Sequence, residues 1–296
     1  MGKSIGIDIG GTNIRLVVID TCGNVYYKKE RETEYYKDDY LKNIDEMILS
    51  ALEQYKDEIV GIGIGVPGTV NFDSGEVIIS TALKWEQLNL KEYIEKKFGV
   101  ISLIENDCNV WTIAEKLIGA GKYVNDFVMV TIGTGIGAGV YINGRLHRGF
   151  NYEAGEIGYF PIGLESYENQ ASYCNFGYFE KNASATGVAN RYKEIKKIEM
   201  SSKDIFNLSE EGDQDALMIT DKVYRYLGIG MSNIICLLNP EKIIFGGGMA
   251  KQGEIFISRL EENINRLTPI KTTLQLSETS EFGGAIGSGL MIFNKI

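Results

Sequence analysis

Two glycine-rich turns are the parts of this sequence that could hold a phosphate group. The first, Gly10-Gly11-Thr12, follows Asp8 and separates two apolar runs, which predicts two strands joined by a tight loop. Backbone amides in such a loop can approach a phosphate closely, and the Asp8 carboxylate stands where a magnesium ion would be needed. The second turn, Gly133-Thr134-Gly135, repeats this layout about 120 residues later. Because the layout occurs twice, we predict that two halves of the chain bind one nucleotide.

The glycines of these turns also allow other interpretations. Each turn taken alone is also compatible with an ordinary glycine hairpin. Gly133-x-Gly135-x-x-Ala138 and Gly63-x-Gly65-x-x-Gly68 match the dinucleotide-binding fingerprint loosely. However, the chain after Gly137 has the pattern of a strand instead of a helix, and Pro67 lies inside the second match. No Walker A sequence is present, so ATP would have to be bound by a different scaffold.

A third candidate is the triplet Glu105-Asn106-Asp107, which closes a predicted strand and opens a predicted helix. Open α/β folds bind ligands at this end of a strand, so Asp107 is a candidate general base. The alternative is that the triplet supplies the N-cap of the helix, because Asp and Asn are preferred there.

Two further stretches each allow two interpretations. Glu153 and Glu156 flank a glycine, where they could hydrogen-bond a polyol or belong to a solvated loop. The run Gly246-Gly247-Gly248 follows a predicted strand and could contact adenine or ribose, or form a plain turn. His147 is the only histidine, so no histidine-based catalytic triad can be argued.

The composition limits the classes of protein. With 296 residues, 44% of them hydrophobic, the chain can bury a full core, and its net charge of −10 argues against a nucleic-acid partner. The longest uncharged stretch, residues 127–142, is too short for a membrane span, and no signal peptide is visible. The cysteines are scattered, which predicts reduced, mostly buried thiols and a cytoplasmic protein; they are Cys22, Cys108, Cys174 and Cys236.

The order of predicted elements indicates an α/β protein whose first sheet begins with an antiparallel meander. In the first half the prediction is two strands within residues 1–20, a strand at 25–31, a helix at 38–54, a strand at 59–66, a helix at 90–98, a strand at 100–104 and a helix at 107–118. In the second half it is a helix at 215–238, a strand at 242–245, and helices at 252–266 and 283–293. Residues 148–185 are predicted to be irregular and to carry a substrate loop.

Taken together, these motifs resemble the ROK sugar kinases, which belong to the actin-like ATPase superfamily. The resemblance covers the whole chain and rests on the order and spacing of six motifs. They are Asp8-x-Gly-Gly-Thr, Gly65-Val66-Pro67-Gly68, Glu105-Asn106-Asp107, Gly133-Thr134-Gly135, Gly155-Glu156-Ile157-Gly158 and Gly246-Gly247-Gly248. It implies two actin-like (ribonuclease H-like) α/β domains around a central cleft. We expect an N-terminal domain of residues 1–118, completed by a C-terminal helix at 283–296, and a larger domain of residues 119–282.

The resemblance also implies roles for individual residues. Asp107 matches the catalytic base that accepts the proton of the sugar 6-hydroxyl. Sugar contacts are implied for Gly68, Thr69, Asn106, Glu156 and Glu180. The phosphate and magnesium site is implied for Asp8, Gly10, Gly11, Thr12, Gly133, Thr134 and Gly135, and the adenosine site for Gly247 and Gly248. The implied cofactors are ATP and Mg²⁺, and the implied assembly is a homo-oligomer, most simply a dimer.

The chain departs from the family pattern in one region. The family has histidine after Gly-Glu-Ile-Gly, where this chain has Tyr159, whose hydroxyl could reach the sugar or whose ring could merely fill space. The family's Cys-x-Cys-Gly-x-x-Gly-Cys run corresponds here to residues 171–178, in which Cys174 is the single cysteine. We therefore expect no structural zinc.

The resemblance predicts an ATP-dependent hexose kinase, with glucokinase as the first choice. An N-acetylmannosamine or allose kinase, and a sugar-sensing regulator without turnover, are the alternatives.

Overall fold

The computed structural model of the chain describes residues 2–33, 39–168, 177–279 and 281–294. The strands are β1 (Lys3–Ile9), β2 (Asn13–Ile19), β3 (Val25–Glu32), β4 (Ile59–Val66), β5 (Thr69–Asn71), β6 (Glu76–Ser80), β7 (Trp85–Asn89), β8 (Ile101–Asn106), β9 (Phe127–Ile132), β10 (Ile136–Ile142), β11 (Arg145–His147), β12 (Lys242–Gly246) and β13 (Thr273–Leu276). The helices are α1 (Tyr40–Tyr55), α2 (Leu90–Phe98), α3 (Asp107–Ile118), α4 (Leu164–Glu168), α5 (Tyr178–Ala183), α6 (Ala185–Lys196), α7 (Ser202–Glu210), α8 (Gln214–Leu238), α9 (Glu254–Asn265) and α10 (Gly283–Leu290).

The first sheet has the strand order β3-β2-β1-β4-β8. Strands β1, β2 and β3 pair antiparallel, and β1, β4 and β8 run parallel. This is the predicted order of a meander followed by α/β units. A second, three-stranded sheet, β5-β6-β7, was not predicted. These strands lack the alternation typical of a half-buried strand, since the adjacent Ile78 and Ile79 of β6 are both apolar and both exposed, and β7 has the sequence WEQLN.

The other five-stranded sheet has the order β11-β10-β9-β12-β13, with β9, β12 and β13 parallel. The long helix α8 was predicted within one residue of its start. Asp213 caps it by accepting a hydrogen bond from the amide of Ala216 at 2.8 Å, and it ends at Asn239 in the left-handed conformation. Its apolar face packs into a core with Phe179, Phe245 and Phe256.

Helix α10 packs against strand β1 and helix α3 at backbone distance. A Cβ atom on Gly287 would collide with the carbonyl of Val110, and one on Gly63 of β4 would collide with the carbonyl of Ser288. Glycine is needed at both positions because the two backbones touch. The Ser4 hydroxyl donates to the Gly289 carbonyl at 2.8 Å, which joins residues 285 positions apart in the chain.

The chain contacts divide into two compact units. The first comprises residues 1–125, 139–154 and 277–296, and the second comprises residues 126–138 and 155–276. The domain bounds expected from the sequence were residues 1–118 with 283–296 and residues 119–282. These bounds remain a prediction. Helix α10 falls in the first unit, together with the first sheet.

Two expectations differ from the structure. Residues 148–185 were expected to be irregular, but they contain α4, α5 and a 3-10 turn at Ile157–Tyr159. These helices have at most six residues, too few to give a periodic apolar pattern. The described thiols were expected to be mostly buried, but Cys22 and Cys236 are exposed and only Cys108 is buried. Cys22 lies in a surface turn, and Cys236 lies on the outward face of α8. Cys174 lies outside the described residues.

Candidate functional site

In the first unit, the site residues lie where parallel strands end. The backbone of Asp8 on β1 pairs with Gly65 on β4, and Gly65 pairs with Glu105 on β8. Neighbouring strands lie about 4.8 Å apart, so Asp8 and Glu105 are separated by roughly 10 Å along this row. The carboxyl ends of these strands therefore form one edge, which is where open α/β sheets bind ligands.

Asp8 is a buried carboxylate with few partners of its own. Trp111 Nε1 donates to Asp8 Oδ2 at 3.3 Å, and a Cβ atom on Gly284 would collide with that oxygen. Burial raises the pKa of Asp8 to about 6, against the lowering effects of the Trp111 N–H and the Arg15 charge. A cation would offset the cost of ionising this carboxyl. Since Mg²⁺ in phosphoryl-transfer enzymes uses one or two carboxylates plus phosphate and water, the donor set fits that ion.

The turn after Asp8 has the predicted geometry of two strands joined by a tight loop. Gly10 donates its amide to the Asn13 carbonyl at 2.9 Å, and Thr33 Oγ1 donates to the Gly10 carbonyl at 2.7 Å. Gly11 and Thr12 are exposed, and the Thr12 carbonyl accepts the Thr33 amide at 2.8 Å. The tip of the loop is thus accessible to a ligand, while Thr33 holds its base.

The start of α3 is capped by Asn106. Its Oδ1 accepts from the amides of Cys108 at 2.9 Å and Asn109 at 3.1 Å, and its Nδ2 donates to the Gly68 carbonyl at 3.0 Å. Within the triplet, Asn106 is therefore the residue that caps the helix. Asp107, the first helical residue, is half-buried, and its Oδ1 also lies 2.9 Å from the Cys108 amide. The structure thus brings Gly68, Asn106 and Asp107 together.

Gly68 requires a glycine. Its φ is +115°, and a Cβ atom there would collide with the Ile79 carbonyl. Thr69 follows it at the start of β5 and is buried. The Gly68 carbonyl is fixed by the Asn106 side chain, so the loop after β4 and the turn before α3 are one hydrogen-bonded unit.

In the second unit, the turn 133–135 is held by a carboxylate. The Gly133 amide donates to the Gly135 carbonyl at 2.9 Å, and Thr134 is exposed at the tip. Glu180 on α5 accepts the Ile136 amide at 2.7 Å, and a Cβ atom on Gly135 would collide with its carboxylate. Burial raises the pKa of Glu180, and the Ile136 N–H lowers it in part. Glu180 thus lies against the glycine turn.

The glycines after β12 lie at the same sheet edge as this turn. Gly246 pairs with Thr131 on β9, and a Cβ atom on Gly247, whose φ is +85°, would approach the backbone of Ile132. Gly248 is exposed, with open space where a side chain would be. The structure therefore brings residues 133–135, Gly247 and Gly248 to one edge.

Glu156 immediately precedes, and Tyr159 ends, the 3-10 turn that follows β11. Both are exposed, and the Tyr159 amide donates to the Glu156 carbonyl at 3.2 Å. Gly158, between them, packs close to Glu180 and to the Ile136 carbonyl. The turn that carries Glu156 is therefore next to the carboxylate that holds the glycine turn.

Three residues around the first-unit edge were not singled out by sequence reasoning. Trp111 contacts Asp8, Gly284 makes room for the Asp8 carboxylate, and Arg148 forms an ion pair with Glu105 at 2.7 Å. The spacing of Gly284 and Gly287 in the last helix was a usable signal, since small residues along one face permit close helix packing. No local pattern marked Arg148.

Within the described part of the chain, no group of three or more His, Cys, Asp or Glu side chains is arranged to hold a metal ion. Most of residues 171–178, where the family's cysteine run would fall, lie outside the described residues. The expectation of no zinc therefore stays a prediction.

Comparison with known proteins shows the family. The profile of the ROK family matches residues 4–294, so the chain belongs to the ROK family. It is 29% identical to a glucokinase of Halalkalibacterium halodurans over 97% of this chain and 94% of that protein. It is 30% identical to a xylose repressor of Caldicellulosiruptor bescii over 90% of this chain and 71% of that protein.

A solved structure gives the same fold. The Lmo2764 protein of Listeria monocytogenes, a candidate N-acetylmannosamine kinase, superimposes with a TM-score of 0.87 at 27% identity, covering 99% of this chain and 100% of that one. The predicted fold class, α/β with two actin-like domains, is confirmed. Among the described helices, none has the length and apolar character needed to cross a membrane.

Proposed function

We propose that the protein is an ATP-dependent hexose kinase that phosphorylates the sugar 6-hydroxyl, with glucose as the first candidate substrate. The observation that carries the proposal is the hydrogen-bonded unit of Gly68, Asn106 and Asp107 at the carboxyl edge of the first sheet. Asn106 caps the helix, so Asp107 is not required for that purpose. A half-buried carboxylate at this edge suits a general base.

In this reaction the 6-hydroxyl oxygen attacks the γ-phosphorus and the bond to the β-phosphate oxygen breaks. Asp107 accepts the hydroxyl proton. Asn106 retains one Nδ2 hydrogen beyond the bond to Gly68 and can donate it to a sugar hydroxyl. Gly68 and Thr69 shape the loop beside it. Positioning of the hydroxyl is the main contribution of these residues, because phosphoryl transfer needs little covalent help from the protein.

Asp8 would hold Mg²⁺, directly or through water, and the exposed Gly11 and Thr12 amides would approach the phosphates. When bound, Mg²⁺ neutralises charge on the phosphate oxygens. In the second unit, Gly133, Thr134 and Gly135 would donate to phosphate, and Gly247 and Gly248 would leave room for adenosine. We assign Glu156, Tyr159 and Glu180 to sugar contacts by the family resemblance.

A second candidate is a sugar-sensing regulator without turnover, because a xylose repressor is among the relatives. The candidate N-acetylmannosamine kinase among the solved structures supports that sugar as an alternative substrate. Allose is the other alternative, from the family resemblance alone. The half-buried Asp107 carboxylate, our proposed base, supports turnover over sensing. We further propose a cytoplasmic homodimer, again from the family resemblance.

An ADP-release assay with a panel of hexoses separates these candidates. We expect ATP- and Mg²⁺-dependent turnover with one hexose, and a loss of roughly 10²- to 10⁴-fold in kcat for Asp107→Asn, the usual range for a general base. The variant should keep its fold and its sugar affinity. Sugar binding without turnover by the wild type would support the regulator instead, and wild-type turnover by the variant would remove Asp107 as the base.

A further inference from the structure

Glu105 is a buried charge immediately before the proposed base turn. Its residue exposure is 1%, and both carboxylate oxygens are engaged. Oε1 accepts from the Asn106 amide at 2.8 Å and from Asn109 Nδ2 at 3.0 Å, and Oε2 accepts from Arg148 Nε at 2.7 Å. Glu105 therefore contacts Asn106 on one side of Asp107 and Asn109 on the other.

Arg148 is the cationic partner of this carboxylate, and it is itself held in place. Its side chain is 17% exposed, and the guanidinium carbon lies 3.9 Å from the centre of the Phe72 ring. A planar guanidinium can stack on a ring and bind a carboxylate at the same time, which an ammonium group cannot do equally well. Its Nη2 is buried without a hydrogen-bond partner in the described part of the chain. This arrangement fixes the direction from which Arg148 meets Glu105.

The hydrogen bonds continue from this pair to the proposed site. Glu105 accepts a hydrogen bond from the Asn106 amide, and Asn106 in turn caps α3 and donates to the Gly68 carbonyl. Asp107 is the next residue in this hydrogen-bonded turn. Neither Glu105 nor Arg148 needs to touch a substrate to affect Asp107. A buried carboxylate that loses its cation is left with an uncompensated charge, so the turn built on it would shift.

We propose that the Glu105–Arg148 ion pair positions the Asn106–Asp107 turn, and that its loss lowers turnover without a matching loss of hexose binding. The proposal rests on the proposed function for its kinetic consequence. Its structural part, the ordering of the turn at residues 106–109, can be measured independently of any activity.

The test compares Arg148→Met with variants that separate charge from geometry. Arg148→Lys keeps the charge but loses the stacked fork, and the double variant Glu105→Gln with Arg148→Met removes the charge imbalance. Lys97→Met is the matched control, because it breaks another ion pair of the first unit, Lys97–Asp45 at 2.5 Å, whose aspartate side chain is only 11% exposed. Each variant is assayed for hexose kcat and KM, thermal midpoint, and hydrogen exchange in peptides covering residues 104–110.

For Arg148→Met we expect a fall of roughly 10- to 100-fold in kcat, the scale of a misplaced reacting group, with hexose KM within about threefold. Arg148→Lys should recover part of kcat. The double variant should regain thermal stability relative to Arg148→Met but not kcat. Exchange at the Cys108 and Asn109 amides should be faster in Arg148→Met than in Lys97→Met at equal thermal midpoint.

Two results would overturn the proposal. One is an Arg148→Met protein whose kcat and exchange both match those of the Lys97→Met control. The other is full recovery of kcat in the double variant, which would mean that only the unpaired charge mattered. Absence of turnover in the wild type with every hexose would instead refute the proposed function, and the exchange comparison would still decide whether the pair orders the turn.

Discussion

Burial of the Asp8 carboxylate lowers the stability of the metal-free fold at neutral pH, and Asp8 is also the residue proposed to bind magnesium. Its pKa is raised to about 6 by burial, whereas an unfolded aspartate has a pKa of about 3.9. The folded protein therefore binds a proton more tightly than the unfolded chain between these values. Asp8 stabilises the metal-free fold most below pH 4, and this contribution is lost as pH rises through about 6.

We predict that Asp8→Asn removes this pH dependence. The difference in unfolding free energy between wild type and variant should change by about 2–3 kcal/mol between pH 4 and pH 7 in metal-free buffer, with the variant favoured at the higher pH. Denaturant unfolding with a chelator present measures it. The variant should also lose Mg²⁺-dependent turnover. Parallel stability profiles for the two proteins would show that burial of Asp8 does not perturb its ionisation.

Asp20 provides a control of opposite sign. The side-chain amide of Asn24, together with further hydrogen bonds, holds the pKa of Asp20 below its usual value. Its contribution is present above the unfolded pKa and is lost as pH falls through the lower folded pKa. In the same denaturant series, the unfolding free energy of wild type should therefore increasingly exceed that of Asp20→Asn as pH rises from about 3 to 5. Turnover by the variant should be unaffected.

At the scale of elements, the start of α3 joins stability to the proposed site. Asn106→Ala removes the N-cap and the bond to the Gly68 carbonyl, so we expect a loss of about 0.5–2 kcal/mol in unfolding free energy together with a fall in turnover. Asp213→Ala is the control, since it removes a comparable cap from α8 through the bond to Ala216. Equal losses of activity from the two variants, after matching for folded fraction, would contradict a site at Asn106.

Two tyrosines and a glutamate form a cluster at the end of the stretch that corresponds to the family's cysteine run. Tyr178, which takes the place of the last cysteine of that run, donates to Glu165 Oε2 at 3.2 Å, and Tyr226 donates to the same oxygen at 3.3 Å. The two rings meet edge to face with centroids 6.4 Å apart. This cluster joins α4, α5 and α8 through side-chain contacts.

We therefore predict that the protein folds and works without zinc. Elemental analysis of the purified protein should show less than stoichiometric zinc, and activity after chelation should return with magnesium alone. Tyr178→Phe keeps the ring contact but loses the hydrogen bond, so it should lower the thermal midpoint by a few degrees, since about 1 kcal/mol shifts it by roughly 2–4 °C in a chain of this size. Stoichiometric zinc whose removal unfolds the protein would refute the prediction.

The elements that sequence reasoning found are those with strong periodicity or glycine signals. Helix α8, strand β4 and the turn at Gly10 were predicted from such patterns, and so was the opening of α3 after Glu105. Strands β5 to β7 were missed because β5 has only three residues, β6 exposes two isoleucines, and β7 has no buried residue. Arg148 was missed for another reason: it is 43 residues from Glu105, and an ion pair of that separation leaves no local pattern.

At the scale of the whole molecule, we expect assembly into a homodimer. The chain has a mass of 32.9 kDa, so light scattering after size exclusion should give about twice that value if the family resemblance extends to assembly. For a stable dimer, the measured mass should stay at about twice the mass of one chain across a tenfold dilution. A mass equal to that of one chain at all concentrations would contradict this expectation.

The contact of α10 with the first sheet has a consequence for biosynthesis. Strands β1 and β4 leave the ribosome early, but the helix that covers them is made only after the whole second unit. Until then, one face of the first sheet lacks its cover, and the Ser4–Gly289 bond closes a loop of 285 residues. Contacts of such separation slow folding and leave apolar surface open to aggregation. We therefore expect nascent chains stalled before residue 277 to be sensitive to protease within residues 1–125, and to become resistant once the last helix has emerged.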